Sequence, residues 1–180
     1  LGHNIPTVSR AEYLGALMLE YRSRIGISGS HGKSTTTAML DCIFSRAGLL
    51  PTTLSGAELA IGSPYRIGGR QHLIYEACEY RNSFLSFSPT DFVALNLELD
   101  HTDYFENIEA LSASFAAAMS HPLMRLYING DDPHLRKITE EIGASAVSFG
   151  SYEGNDYRFL PTGFADGGIV DGVGECVGRQ

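Results

Sequence analysis

Positive charge is scarce in this sequence: 13 Lys and Arg stand against 21 Asp and Glu, a formal net charge of −8. That sign excludes broad electrostatic attraction to nucleic acid or to an anionic membrane surface as a basis for binding. A phosphate-bearing ligand must be held by local cations or by bound metal. Cysteine is sparse as well. Cys42, Cys78 and Cys176 are odd in number and in no metal-ligand spacing, which fits a reduced, cytoplasmic setting. No apolar run approaches the roughly 18 residues needed to span a bilayer, and no signal-peptide pattern is present. Internal repeats and low-complexity segments are also lacking. What remains, 43% hydrophobic and 19% charged over 180 residues, is an ordinary globular composition with enough chain for a real core.

Apolar spacing predicts a helix over residues 9–21, capped by Ser9 with Glu12 three positions later. A short strand, RIGISG, follows, then a helix over 32–47 that Gly48 closes. Strands are expected over 72–80, 91–101, 124–132 and 145–150, with helices over 107–120 and 132–143 between them. Strands alternating with helices predict an α/β fold with a mostly parallel sheet flanked by helices. Beyond Gly150, seven glycines from Gly154 to Gly178 break up short apolar stretches and predict antiparallel hairpins at the sheet edge. The chain opens on LGHNIPTVSR and stops at VGECVGRQ, and it reads as a piece of a longer protein.

The stretch SGSHGKSTTT, 28–37, lies between the first predicted strand and its helix. It contains Gly-Lys-Ser, yet Ile27 stands where a GxxxxGK[ST] phosphate loop requires glycine. The first turn of a helix offers unpaired N–H groups and partial positive charge, and glycine lets the backbone approach an anion closely. Lys33 adds a cation for the outer phosphates, the Ser34 hydroxyl can ligate Mg²⁺, and Thr35 and Thr36 can add hydroxyl contacts. The plain alternative is a glycine turn capping a core helix beside a surface lysine.

Acidic groups favour the ligand reading. Ligands of open α/β sheets bind outside the carboxyl ends of the strands. Glu76 and Glu79 fall at one such end, Asp100, His101 and Asp103 at the next, and Asn129, Asp131 and Asp132 at a third. Each also has a structural alternative: Glu79 pairing with Arg81, NGDDP as a turn and helix cap, and His101 as a packing residue.

Taken in order, GSHGKSTTT, EACEYRNSFL, NLELDHTDYF and YINGDDP resemble the central ATPase domain of the Mur ligases, which build the peptide stem of bacterial cell-wall precursors. The family's short loop corresponds to Gly29-Ser30-His31-Gly32-Lys33-Ser34, and this accounts for the missing glycine at Ile27. The resemblance is strong over 25–150 and loose to Gln180. It implies that residues 1–22 end an N-terminal UDP-sugar domain and its linker, and that 23–180 form a P-loop-type ATP-binding domain, truncated and without the family's C-terminal domain. His31 resembles both the branch that joins L-alanine to UDP-N-acetylmuramate and the branch that reattaches recycled tripeptide, while EACEY…SFL followed by LDHTDYF resembles the alanine-adding branch more. Folylpolyglutamate synthase, of the same superfamily, shares the loop but matches His31 and EACEY less well. A P-loop switch, motor or non-catalytic binding module is the alternative from another class.

On this resemblance the cofactors are ATP and Mg²⁺, and the partners are UDP-N-acetylmuramate, L-alanine and the remaining domains of the same enzyme. Gly29, Ser30, His31, Gly32, Lys33, Ser34, Thr35 and Asn129 bind nucleotide. Lys33 holds the β- and γ-phosphates, Ser34 and Glu76 ligate a first Mg²⁺, and His101 ligates a second. Lys33, Glu76 and His101 form the catalytic set, and Asn96 and Asp100 order the loop around His101. The implied chemistry is attack of a carboxylate on the γ-phosphate to give an acyl phosphate, which the alanine amine then displaces. The helix after the DH motif, ENIEALSASFAAAM, has no lysine where several family members carry a carbamylated one. Cys78 is expected to pack rather than to act as a nucleophile.

Overall fold

The computed structural model describes residues 7–121, 124–165 and 168–176. Among the described residues nine strands form one sheet: β1 Ser23–Ser28, β2 Thr52–Leu54, β3 Tyr65–Arg66, β4 His72–Glu76, β5 Asp91–Ala94, β6 Arg125–Asn129, β7 Ala146–Gly150, β8 Tyr157–Ala165 and β9 Gly168–Cys176. Their spatial order is β3-β2-β4-β1-β5-β6-β7-β8-β9. The strands from β2 to β8 run parallel, and antiparallel β3 and β9 close the two edges. The predicted α/β architecture is therefore the observed one. The tail forms one edge hairpin, and β2 and β3 are too short for periodicity to reveal.

Four α-helices accompany the sheet among the described residues: α1 Arg10–Met18, α2 Lys33–Arg46, α3 Ile108–Met119 and α4 Pro133–Glu141. The capping box at the start of α1 forms, with Ser9 Oγ accepting from Glu12 N–H and Glu12 Oε2 accepting from Ser9 N–H. The helix stops at Met18, short of Tyr21, because its last turns tighten to i→i+3 bonds. Asn107 and Asp132 cap α3 and α4 through Ala110 N–H and through His134 and Leu135 N–H.

Strand alternation divides the layers. Leu73 and Tyr75 of β4 join Met18, Phe84, Phe92, Phe115, Leu126 and Leu135 in a core beneath α1, α3 and α4. On the opposite face, His72 meets Phe44 of α2 edge-on, with ring centroids 5.2 Å apart. Asp41 of α2, 2% exposed, is gripped by Arg66 through two hydrogen bonds of 2.8 and 3.0 Å and by the Thr53 hydroxyl. Burial alone would raise the pKa of Asp41, but the Arg66 and Thr53 bonds hold it below the usual carboxylate value. This pair ties the short β2–β3 edge to the helix.

The strands flanking β1 end earlier than the sequence predicts. β4 stops at Glu76 rather than running to residue 80, and β5 stops at Ala94 rather than 101. Their shared neighbour β1 turns away at Gly29, so the backbone beyond has no strand to pair with. Two hydrogen bonds mark the limit, Ala77 N–H to Ile27 O and Leu95 N–H to Ser28 O. After β4 the chain enters a 3₁₀ segment, Tyr80–Ser86, in which Arg81 and Asn82 adopt left-handed backbone angles.

Candidate functional site

β1 lies between β4 and β5; after β1 the chain builds β2, β3 and β4 on one side and then crosses to β5 on the other, so the sheet reverses its direction of growth at β1. That switch point is where an open α/β sheet leaves a crevice. The loop 29–32 fills it. Gly29 has φ +143°, and a Cβ there would stand 3.0 Å from Leu95 Cβ and 3.1 Å from Asn96 N. Gly32, at φ +85°, begins α2 with no side-chain cap, which leaves the first-turn N–H groups for an anion.

Asn96 holds the loop in place. Its Oδ1 accepts His31 N–H at 2.8 Å, its Nδ2 donates to His31 O at 2.9 Å, and its backbone O accepts Ser30 N–H. Ser30 Oγ donates to Glu98 O at 2.7 Å and accepts Glu98 N–H at 2.9 Å. The sequence reading gave Asn96 to the loop around His101; its side chain instead serves the loop around His31. Asp100 does act at His101, accepting its N–H at 2.7 Å.

Lys33, the first residue of α2, reaches back across the loop. Its Nζ donates to Gly29 O at 2.5 Å and to the two Glu79 oxygens at 3.1 and 3.3 Å. Glu79 is 1% exposed, and the alternative of a surface pairing with Arg81 does not form. The Arg81 guanidinium lies over the Tyr80 ring instead. His101, with φ +54°, places Nε2 3.8 Å from Glu79 Oε1 and its ring 4.7 Å from that of Tyr80. Tyr80 in turn donates its hydroxyl to Asp103 at 2.7 Å. Cys78 completes the group, since one ligand atom each from Cys78, Glu79 and His101 lie within 4.8 Å of one another. Burial, with Glu79 and Glu76 nearby, raises the pKa of the Cys78 thiol above its usual value, which suits a packing role.

Glu76 sits apart from that cluster in its bonding. Its Oε1 accepts the Ser55 hydroxyl at 3.0 Å and Gly56 N–H at 2.5 Å. It shares with Lys33, Cys78 and Tyr80 the wall of a cleft of about 750 Å³ that runs beneath α1. Ser34 and Thr35 lie in the first turn of α2, half-buried and exposed respectively. Asn129 ends β6, two strands from β1, and its Oδ1 accepts Asp131 N–H at 3.0 Å rather than any group of the loop.

The other two members of NGDD are occupied structurally. Asp132 caps α4 and accepts Leu97 N–H, while Asp131 accepts from Ser151 N–H and Oγ, Tyr152 N–H and Asn155 Nδ2. Burial would raise the pKa of Asp131, but these donors bring it down to about 2. A depressed carboxylate stabilises the fold above its unfolded pKa of about 4, and that stability is lost as pH falls toward 2. Asp131→Asn is expected to cost about 1–2 kcal/mol at pH 7 and to flatten the acid limb of stability between about pH 4 and 2. Urea unfolding at several pH values checks it; an unchanged acid limb would refute the assignment.

The Mur ligase middle domain model matches residues 27–162, three-quarters of the chain and all of this site. The chain belongs to the Mur ligase family. This Mur ligase domain is 36% identical over 159 residues to a UDP-N-acetylmuramate–L-alanine ligase of Lachnoclostridium phytofermentans, covering 87% of this chain and 34% of that protein. It thus spans about a third of the length of that curated relative. In fold it is similar to the UDP-N-acetylmuramate:L-alanyl-gamma-D-glutamyl-meso-diaminopimelate ligase of Neisseria meningitides, with TM-score 0.76 and 23% identity over 94% of this chain and 60% of that one. It is also similar to MurF ligase from Thermotoga maritima in complex with ADP, with TM-score 0.70 and 21% identity over 93% and 43% of the two chains.

The donors of this Mur ligase domain fit a hard divalent cation beside phosphate: Ser34 and Glu76 offer oxygens, and His101 a nitrogen. The sequence places Glu79 only among the acids at strand ends and gives Tyr80 no site role. The only signal was position, since EACEY follows the end of a strand that flanks the phosphate loop.

Proposed function

We propose that this domain is the ATP-binding unit of a ligase that joins L-alanine to UDP-N-acetylmuramate. The observation that carries the reading is Lys33, which lies across a glycine loop at the sheet's switch point, within one cluster with Glu79 and His101. The named function of the Lachnoclostridium relative favours alanine as the amino acid, as does EACEY…SFL followed by LDHTDYF.

In this reading the loop 29–32 and the first turn of α2 cradle the phosphates, and Lys33 neutralises the γ-phosphate as the acceptor carboxylate attacks. Positioning and charge neutralisation are what phosphoryl transfer requires of a protein. Ser34 and Glu76 would hold one Mg²⁺ and His101 a second, and such cations would supply charge to offset the repulsion between triphosphate and carboxylate. Gly29, Ser30, His31, Gly32 and Thr35 shape the cradle, with Asn129 as a further nucleotide contact. The cleft walled by Glu76, Ser55 and Tyr80 receives the acceptor. Residues 1–22 lead in from a UDP-sugar domain and 23–180 form the ATP-binding domain of a cytoplasmic enzyme whose remaining domains complete the site.

The test is ADP release by the full-length protein under three acceptor pairs: UDP-N-acetylmuramate with L-alanine, UDP-N-acetylmuramate with L-alanyl-γ-D-glutamyl-meso-diaminopimelate, and a folate with glutamate. Turnover is expected with the first pair and at least about a hundredfold less with the others. Preference for the tripeptide or for the folate would replace the alanine assignment.

A further inference from the structure

Phosphate binding alone does not explain why Glu79 is where it is. A carboxylate 1% exposed is costly to keep charged unless it is paired, and Lys33 supplies the pair from 3.1 Å. Lys33 comes from the phosphate loop, His101 from the segment after β5, and Glu79 stands between them. Glu76 is not equivalent, because its hydrogen-bond partners are the uncharged Ser55 hydroxyl and Gly56 N–H.

We propose that Glu79 is a latch that makes nucleotide binding conditional on a divalent cation. The inference rests on the phosphate-site reading above and adds the residue that couples cation to nucleotide. While the site is empty, Glu79 neutralises Lys33. A nucleotide phosphate competes for the same ammonium. Drawing Lys33 away leaves Glu79 buried without its partner, beside newly added negative charge. A divalent cation restores the balance, because the released carboxylate and His101 Nε2 face the same space. Cation and nucleotide then raise each other's affinity by the same factor, as linkage requires. Glu79 is a positioning residue that acts on the nucleotide through Lys33.

Calorimetric titration of the full-length protein with ADP, in Mg²⁺ and in EDTA, tests the latch in the native protein, Glu79→Gln and Lys33→Ala. Native protein is expected to bind ADP about a hundredfold more weakly without the cation. Glu79→Gln should bind cation-free ADP about tenfold tighter than native protein does, with the cation effect reduced to about threefold. Weakening of Glu79→Gln by one factor in both conditions would mean a packing role and overturn the latch. If Lys33→Ala binds ADP as tightly as native protein, the phosphate-site reading itself falls, whatever Glu79 does.

A second readout is independent of whether Glu79→Gln folds. Without nucleotide, Mg²⁺ should raise the melting temperature of Lys33→Ala more than that of native protein, because the cation replaces the ammonium beside Glu79. An equal or smaller rise would overturn the proposal.

Discussion

Lys33→Ala in the full-length protein is expected to lower turnover by about a thousandfold or more and to remove measurable nucleotide binding. The ammonium crosses the loop, bonded to Gly29 O, and is the loop's own cation for an incoming phosphate. The substitution also leaves Glu79 charged and 1% exposed without its partner, which costs about 3–5 kcal/mol of stability. Binding and stability must therefore be separated by melting the variant alongside the titration. Lys33→Arg is a useful companion. It keeps the charge, but a planar fork replaces a compact ammonium in a space shaped for three tetrahedral donors, so folding should recover further than turnover. Near-native ADP release by Lys33→Ala would sink the site assignment.

The second large effect lies in the core. Phe115 of α3 is 0% exposed, and its ring meets Phe84 edge-to-face with centroids 5.4 Å apart. Phe84 belongs to the 3₁₀ segment behind Glu79 and Tyr80, and its N–H donates to Cys78 O at 3.1 Å. Phe115→Ala is expected to cost about 3–5 kcal/mol and to lower the melting temperature by about 10 °C. Because the cavity opens beneath that segment, nucleotide affinity should fall as well. Met39→Ala on α2, at a side chain 60% exposed, is the control and should change stability by less than about 0.5 kcal/mol. A melting temperature for Phe115→Ala within about 2 °C of native would show that the site segment is anchored elsewhere.

Much of this protein was legible before its fold. Ser9 and Glu12, NGDDP and Gly48 announced helix ends because capping is local chemistry between near neighbours. Alternating strand and helix patterns announced the parallel sheet, and Gly29 to Ser34 marked a glycine loop between a strand and the helix after it. Strand ends were less legible. β4 and β5 stop where β1 turns away, and a strand's length depends on a neighbour distant in sequence.

The acids show the same divide. Composition and order placed Glu76, Glu79, Asp131 and Asp132 at strand ends, and they gave all four comparable standing. Tertiary structure distinguished them. Asp131 and Asp132 are spent on a turn and a helix cap, Glu76 on Ser55 and Gly56, and Glu79 alone faces both Lys33 and His101. Local sequence determined the elements and the loop chemistry. Which carboxylate meets the lysine was decided only when three distant segments were brought together at the carboxyl ends of the central strands, because a charge's role depends on burial and on partners across space.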